Sequence, residues 1–257
     1  MCNKLHVLLL KHTFSIMLDD INLQDILFLD IETVPVVKDF NDLNSEMQWL
    51  WDKKSQYSRT EDQSAADAWF ERAGIFAEYG KIICISVGFM HRSDGEWHFR
   101  VRSFAGDDEH ALLKDFGHML TTHFSSQYKR LCGHNGKEFD FPYICRRMLI
   151  NRVAIPPILQ IQGKKPWEIQ HIDTLDLWKF GDYKNYTSLR LLAALFDIPT
   201  PKDDIDGSEV AGVYWNDNDL QRIVTYCEKD VVTTARIFLR MTGHNDEIKD
   251  ENVSRNE

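Results

Sequence analysis

The chain has 257 residues, 43% hydrophobic and 27% charged, which is enough apolar material for a full core and within reach of a single α/β domain. The 40 acidic residues outnumber the 30 basic ones and leave a net charge of −10. That argues against coating long duplex nucleic acid with a basic stripe, because phosphate contacts supply most non-specific affinity. It remains compatible with an enzyme that grips only a strand end through bound cations.

The amino-terminal segment, residues 1–19, reads as an extension outside the working fold. His6 to Leu10 (HVLLL) is too short for a signal-peptide core of about 7–15 residues, and Met17, just before LDDINLQD, is the expected translation start. No stretch approaches the roughly 18–20 apolar residues of a membrane span, so no membrane partner is expected. Five cysteines without a C-x-x-C pair argue against a zinc knuckle or disulfide framework and for a reducing, cytoplasmic setting. The ten histidines include no H-E-x-x-H pattern.

A single folded domain is expected over residues 20–243. Its first strand is Ile26 to Ile31 (ILFLDI), followed by an insertion over 36–80 whose Trp49, Trp51, Trp69 and Phe70 read as core. Lys81 to Phe89 and Glu96 to Phe104 form a hairpin around Asp94-Gly95. A helix over 107–124 follows, then a short strand at Leu131 to Gly133 and a helix from Phe139 to Ile150 with Pro142 in its first turn. A strand near Gln170 to Ile172 and a helix over Ser188 to Phe196 come next. A last helix, capped by Asn216 or Asp217, runs to Met241. Residues 244–257 read as a frayed polar tail. The order implies an α/β fold, a mixed sheet flanked by helices.

Three patterns carry candidate chemistry. Asp30 and Glu32 lie two apart on a strand, so both carboxylates leave the same face at the end of an apolar run, where charge is costly without compensation. About six such acidic-x-acidic pairs are expected from composition alone, so the pair is weak by itself. Asn135 to Tyr143 (NGKEFDFPY) follows a strand and opens a helix, with Asp140 near the positive end of the helix dipole; alone, an ordinary first-turn acid is the simpler reading. Tyr226 and Asp230 are neighbours at i, i+4 beside the apolar stripe of the last helix, and about one such pair is expected by chance.

Taken together and in this order, the three resemble the motifs of the DEDD (DnaQ-like) 3′–5′ exonucleases, which have the ribonuclease H-like fold. Asp30-Ile31-Glu32-Thr33 is similar to the first motif. Asn135 to Tyr143 is similar to the second, in the form seen in the proofreading domains of family B DNA polymerases. Tyr226 to Asp230 matches Y-x-x-x-D; Thr225 stands where the other branch has histidine, so the resemblance is to the tyrosine branch. His171 to Asp176, Ser188 to Phe196 and Asp206-Gly207-Ser208 look like the stand-alone bacterial members.

The resemblance implies a two-metal-ion exonuclease using Mg²⁺ or Mn²⁺ and acting on a nucleic-acid 3′ end, DNA rather than RNA, with single-stranded DNA favoured. Asp30, Glu32, Asp140 and Asp230 are then the expected metal ligands, and Tyr226 orients the attacking water. Thr33, Asn135 and Phe139 are expected to contact substrate, with core packing an equal reading for Phe139. The loop Gly163 to Trp167 reads as solvated. The rival readings are an exoribonuclease, a silent nucleic-acid-binding protein of the same fold, and a phosphoesterase for small nucleotides. No polymerase or repair partner is legible.

Overall fold

The first strand, β1 (Ile26–Pro35), is apolar at successive positions because both of its faces are covered. Ile26 and Phe28 pack on one side with Phe99, Val231 and Phe238, while Leu27, Leu29 and Ile31 pack on the other with Phe116, Leu120 and Phe141. The computed structural model describes residues 21–257 except 166–167, 183, 200–204, 245–247 and 256–257. The expected extension, with Met17 and His6 to Leu10, therefore lies outside the described residues, as do Pro166 and Trp167 of the solvated loop.

Around β1 runs a six-stranded sheet in the order β5-β4-β1-β2-β3-β6. Its other strands are β2 (Gly80–Ser93), β3 (Glu96–Ala105), β4 (Arg130–Gly133), β5 (Ile172–Asp173) and β6 (Val253–Arg255). β2 is antiparallel to β1 and β3, whereas β4 runs parallel to β1 and β5 parallel to β4. This is the mixed, ribonuclease H-like sheet that the motifs imply. The hairpin turns where expected, with Asp94 and Gly95 both at positive φ (53° and 84°).

Helices α3 (Glu109–His123) and α4 (Asp140–Ile150) cover one face of the sheet, and α7 (Leu220–Met241) covers the other. Between them run α5 (Thr174–Lys179) and α6 (Leu189–Leu195). A buried pair ties the first face together: Arg147 Nε donates to Glu109 Oε1 at 2.8 Å, and the same oxygen accepts from the Ile82 amide at 2.7 Å. No helix among the described residues is long and apolar enough to cross a membrane.

Residues 36–80 fold over α1 (Ser45–Ser55) and α2 (Ala65–Arg72) around their own small core. There Trp51 meets Trp69 and Tyr79 edge-on at 5.3 and 5.1 Å. Trp49, expected in the core, is 59% exposed, because only one side of the two-turn pattern faces the domain.

Four further elements differ from the sequence reading. β1 continues past Ile31 to Pro35, with a register shift between Glu32 and Thr33, so the two acids lie within the strand and not at its end. The last helix is capped by Asp219, whose carboxylate accepts the Arg222 amide at 3.1 Å. Asn216 and Asp217 instead belong to a wide π turn (Val213–Asp217), and left-handed Asn218 (φ 55°) separates it from α7. The polar end is not simply frayed: Val253, Ser254 and Arg255 pair in parallel with Phe99, Arg100 and Val101.

Candidate active site

β1 and β4 pair in parallel as far as Phe28 and Cys132, after which β4 ends. The opened edge of β1 leaves the Ile31 amide without a strand partner, and Asp140 fills the gap: its Oδ1 accepts that amide at 3.1 Å. Asp140 is the first residue of α4, so the helix that starts where β4 stops delivers a carboxylate to the middle of β1. Buried in this notch, its carboxyl is pushed up to about 7, chiefly by loss of water.

Asp30 and Glu32 leave the face of β1 that packs toward α7. The Cys227 thiol of α7 donates to the Asp30 carbonyl and to its Oδ2, each at 3.4 Å. Asp30, Glu32 and Cys227 each offer a ligand atom within 4.8 Å of the others. Glu32 is only 8% exposed, and among the described residues no hydrogen bond or ion pair reaches its carboxylate.

Four carboxylates share one electrostatic site. Burial raises the Asp30 carboxyl well above its usual range, and the charges of Asp140 and Asp230 raise it further. Glu32 is raised by burial and then by Asp30 and Asp230. Tyr226, hydrogen-bonded to Asp230, is held protonated by burial and by the charges of Asp230, Glu32 and Asp30. Anions so crowded, with a buried carboxylate lacking a hydrogen bond, suit a cation with oxygen ligands. The donor set fits a divalent metal ion.

The expected substrate contacts fare unevenly. Asn135 stands in the loop after β4 at φ 64°, and its amide donates to Asp173 Oδ1 at 2.9 Å. Phe139 is half-buried and packs on Tyr143 with ring centroids 5.3 Å apart, in line with its packing alternative. Thr33, beyond the register shift, donates its hydroxyl to the Gly74 carbonyl at 2.9 Å, so it fastens the 36–80 segment to β1. The hydroxyl hydrogen is thus committed within the chain, which leaves the oxygen's lone pairs and the backbone as what Thr33 offers a strand.

Two residues of the site escaped sequence reading. Cys227 looked like one more member of an apolar stripe. Asp173 is buried and accepts the amides of Asn135, Lys137 and Leu175 at 2.9, 3.0 and 2.9 Å, which fixes the loop leading into Asp140. Its signal was present as an N-cap pattern, Asp before Thr-Leu-Asp, but a cap pattern does not reveal a second loop bound to the same carboxylate.

Comparison with known proteins bears on this geometry. A search of solved structures finds the family B DNA polymerase of the hyperthermophilic archaeon Pyrobaculum calidifontis, 16% identical, with a TM-score of 0.46 over 84% of this chain. The chain spans 24% of that polymerase chain. A search of curated proteins returns no match. Residues 75–257, which include the Asp140 and Tyr226–Asp230 motifs, match the family described as "Predicted 3'-5' exonuclease related to the exonuclease domain of PolB". The chain therefore belongs to that family of 3′–5′ exonucleases and is a hydrolase.

Proposed function

We propose that the protein removes nucleotides from the 3′ end of single-stranded DNA with two divalent ions, Mg²⁺ or Mn²⁺, held by Asp30, Glu32, Asp140 and Asp230. The observation that carries this reading is convergence: Asp30 and Glu32 lie within ligand distance of each other and of Cys227, 197 positions from Asp30 in sequence, and Asp140 closes on the amide of Ile31 between them. When bound, such ions neutralise charge at the phosphate and the leaving oxygen and lower the pKa of a coordinated water. Oxygen donors and a phosphate substrate suit Mg²⁺ or Mn²⁺.

The chain's own groups divide the remaining work. Asp30 and Glu32 present their oxygens from one face of β1, and Asp140 approaches from the edge of the same strand. Tyr226 stays protonated with its O–H turned to Asp230, and its oxygen would accept a hydrogen from the attacking water and so orient it. Burial pushes the Cys227 thiol up, so it stays a neutral donor to Asp30 and does not become a soft thiolate ligand. The free thiols Cys84, Cys132, Cys145 and Cys227 support work in a reducing, cytoplasmic setting.

The test is an end-labelled assay on single-stranded DNA, duplex DNA and RNA with Mg²⁺ or Mn²⁺, with EDTA as control. Stepwise shortening of the single strand from its 3′ end is expected, abolished by EDTA. Preferred cleavage of RNA would support an exoribonuclease. No shortening of any strand, with binding intact, would leave a silent binding protein. Tyr226→Phe should lower kcat about 10–100-fold and leave KM within about twofold, because water positioning is lost and strand binding is not. An unchanged kcat would remove Tyr226 from the chemistry.

A further inference from the structure

Strand register carries the site one step beyond the carboxylates. Phe28, Cys132 and Ile172 lie side by side across β1, β4 and β5, all packed toward α7. Just beyond them β4 ends at Gly133 and β5 at Asp173, so His134 and Thr174 follow at the end of the sheet toward which Asp30 also lies. The His134–Thr174 contact bears this out: Nδ1 lies 2.9 Å from Thr174 Oγ1. On its other side Nε2 lies 2.8 Å from the Thr187 carbonyl, so Nε2 carries a hydrogen and donates it there, while the Thr174 hydroxyl beside Nδ1 also lies 3.3 Å from the Gly133 carbonyl. Burial lowers the pKa of this imidazole, consistent with a neutral ring that serves as a structural post.

On this post stands Tyr186, its ring edge-on to His134 at 6.3 Å and 66°. Although it is fixed by the Thr187 anchor beside it, Tyr186 is 67% exposed. Its hydroxyl lies in the field of the acidic site: after burial, the causes that raise its pKa are the charges of Asp140, Asp30, Asp173 and Asp230. A large exposed ring, held from beneath just past the end of β4 and at the same end of the sheet as Asp30, is poorly explained by packing. It presents a flat apolar face and no charge. A phosphate would find no cation on it, whereas a nucleobase would find a stacking surface.

We propose that Tyr186, held on His134, forms the nucleobase site for the nucleotide at the 3′ terminus. The inference rests on the nuclease reading above. It assigns the ring, not the hydroxyl, as the contact, and it is indifferent to base identity because every base has a π-face.

The experiment compares wild type, Tyr186→Ala, Tyr186→Phe and the control Tyr128→Ala, a tyrosine 66% exposed just before the opposite end of β4. Each is titrated with labelled single-stranded DNA ending in a normal or an abasic 3′ nucleotide. Fluorescence anisotropy is read with Ca²⁺ to limit turnover, and KM and kcat with Mg²⁺. Tyr186→Ala should weaken binding of the normal terminus and raise KM about tenfold, while changing the abasic terminus less than twofold. Tyr186→Phe and Tyr128→Ala should match wild type. Equal losses on both termini, no loss, or a loss as large in Tyr186→Phe would overturn the proposal. If wild type binds but cleaves nothing, the nuclease reading fails, and the anisotropy difference between termini still decides for or against the base site.

Discussion

Asp30→Ala is expected to reduce strand-end hydrolysis by at least about a thousandfold in kcat, while the purified protein keeps its secondary structure and a thermal midpoint no lower than that of wild type. The size follows from position. Asp30 is the carboxylate nearest the centre of the group, raised by both Asp140 and Asp230 and within ligand distance of Glu32. Removing it takes away a ligand atom that no neighbour can replace, since Glu32 is buried and Asp140 is tied to the Ile31 amide. The fold should tolerate the change because, among the described residues, Asp30 is held by the long thiol contact from Cys227, and loss of one anion relieves repulsion on the rest. Circular dichroism, a melting curve and single-turnover kinetics with Mn²⁺ check both halves. Activity within tenfold of wild type would remove Asp30 from the chemistry.

Much of this site was legible because its parts obey local periodicities. Two residues apart on a strand and four apart on a helix are geometric statements, so Asp30 with Glu32 and Tyr226 with Asp230 could each be paired without a structure. Their order along the chain then placed the elements. What stayed hidden depends on tertiary contact. That β4 ends at Gly133 is legible, but not that its end opens the edge of β1 that Asp140 closes. Thr33 belongs to a motif, yet the register shift before it turns its hydroxyl to Gly74. Tyr186 lies in a loop with no period at all, and only its contact with His134, just past the end of β4, brings it to the end of the sheet where Asp30 lies. The cap of α7 was misplaced because Asn216, Asp217 and Asp219 all suit an N-cap, and left-handed Asn218 selects among them.

Asp140→Asn should stabilise the metal-free protein at neutral pH and abolish hydrolysis at the same time. Asp140 is 4% exposed, and burial moves its carboxyl from 3.8 to about 7. Between about pH 4 and 7 the folded protein therefore holds a proton that the unfolded chain releases, and stability falls as pH rises through that window. Asp30 and Glu32 are raised as well and act in the same sense. Asparagine retains an oxygen for the Ile31 amide and carries no charge, so it keeps the notch closed without the penalty. At pH 8 the expected gain is about 2–4 kcal/mol, a rise of roughly 5–10 °C in thermal midpoint, and it should shrink toward zero at pH 4. Divalent ions should raise the wild-type midpoint at pH 8, where the carboxylates are ionised, more than at pH 5, and should raise the variant's less. The same burial that destabilises the empty site strengthens its hold on a cation, since a carboxylate deprived of water and of neutral partners gains most from one. Scanning calorimetry of both proteins at pH 4, 5 and 8, with and without Mg²⁺, decides the matter. A variant less stable than wild type at pH 8 without metal would mean that the Asp140 charge supports the fold, contrary to this account of the site.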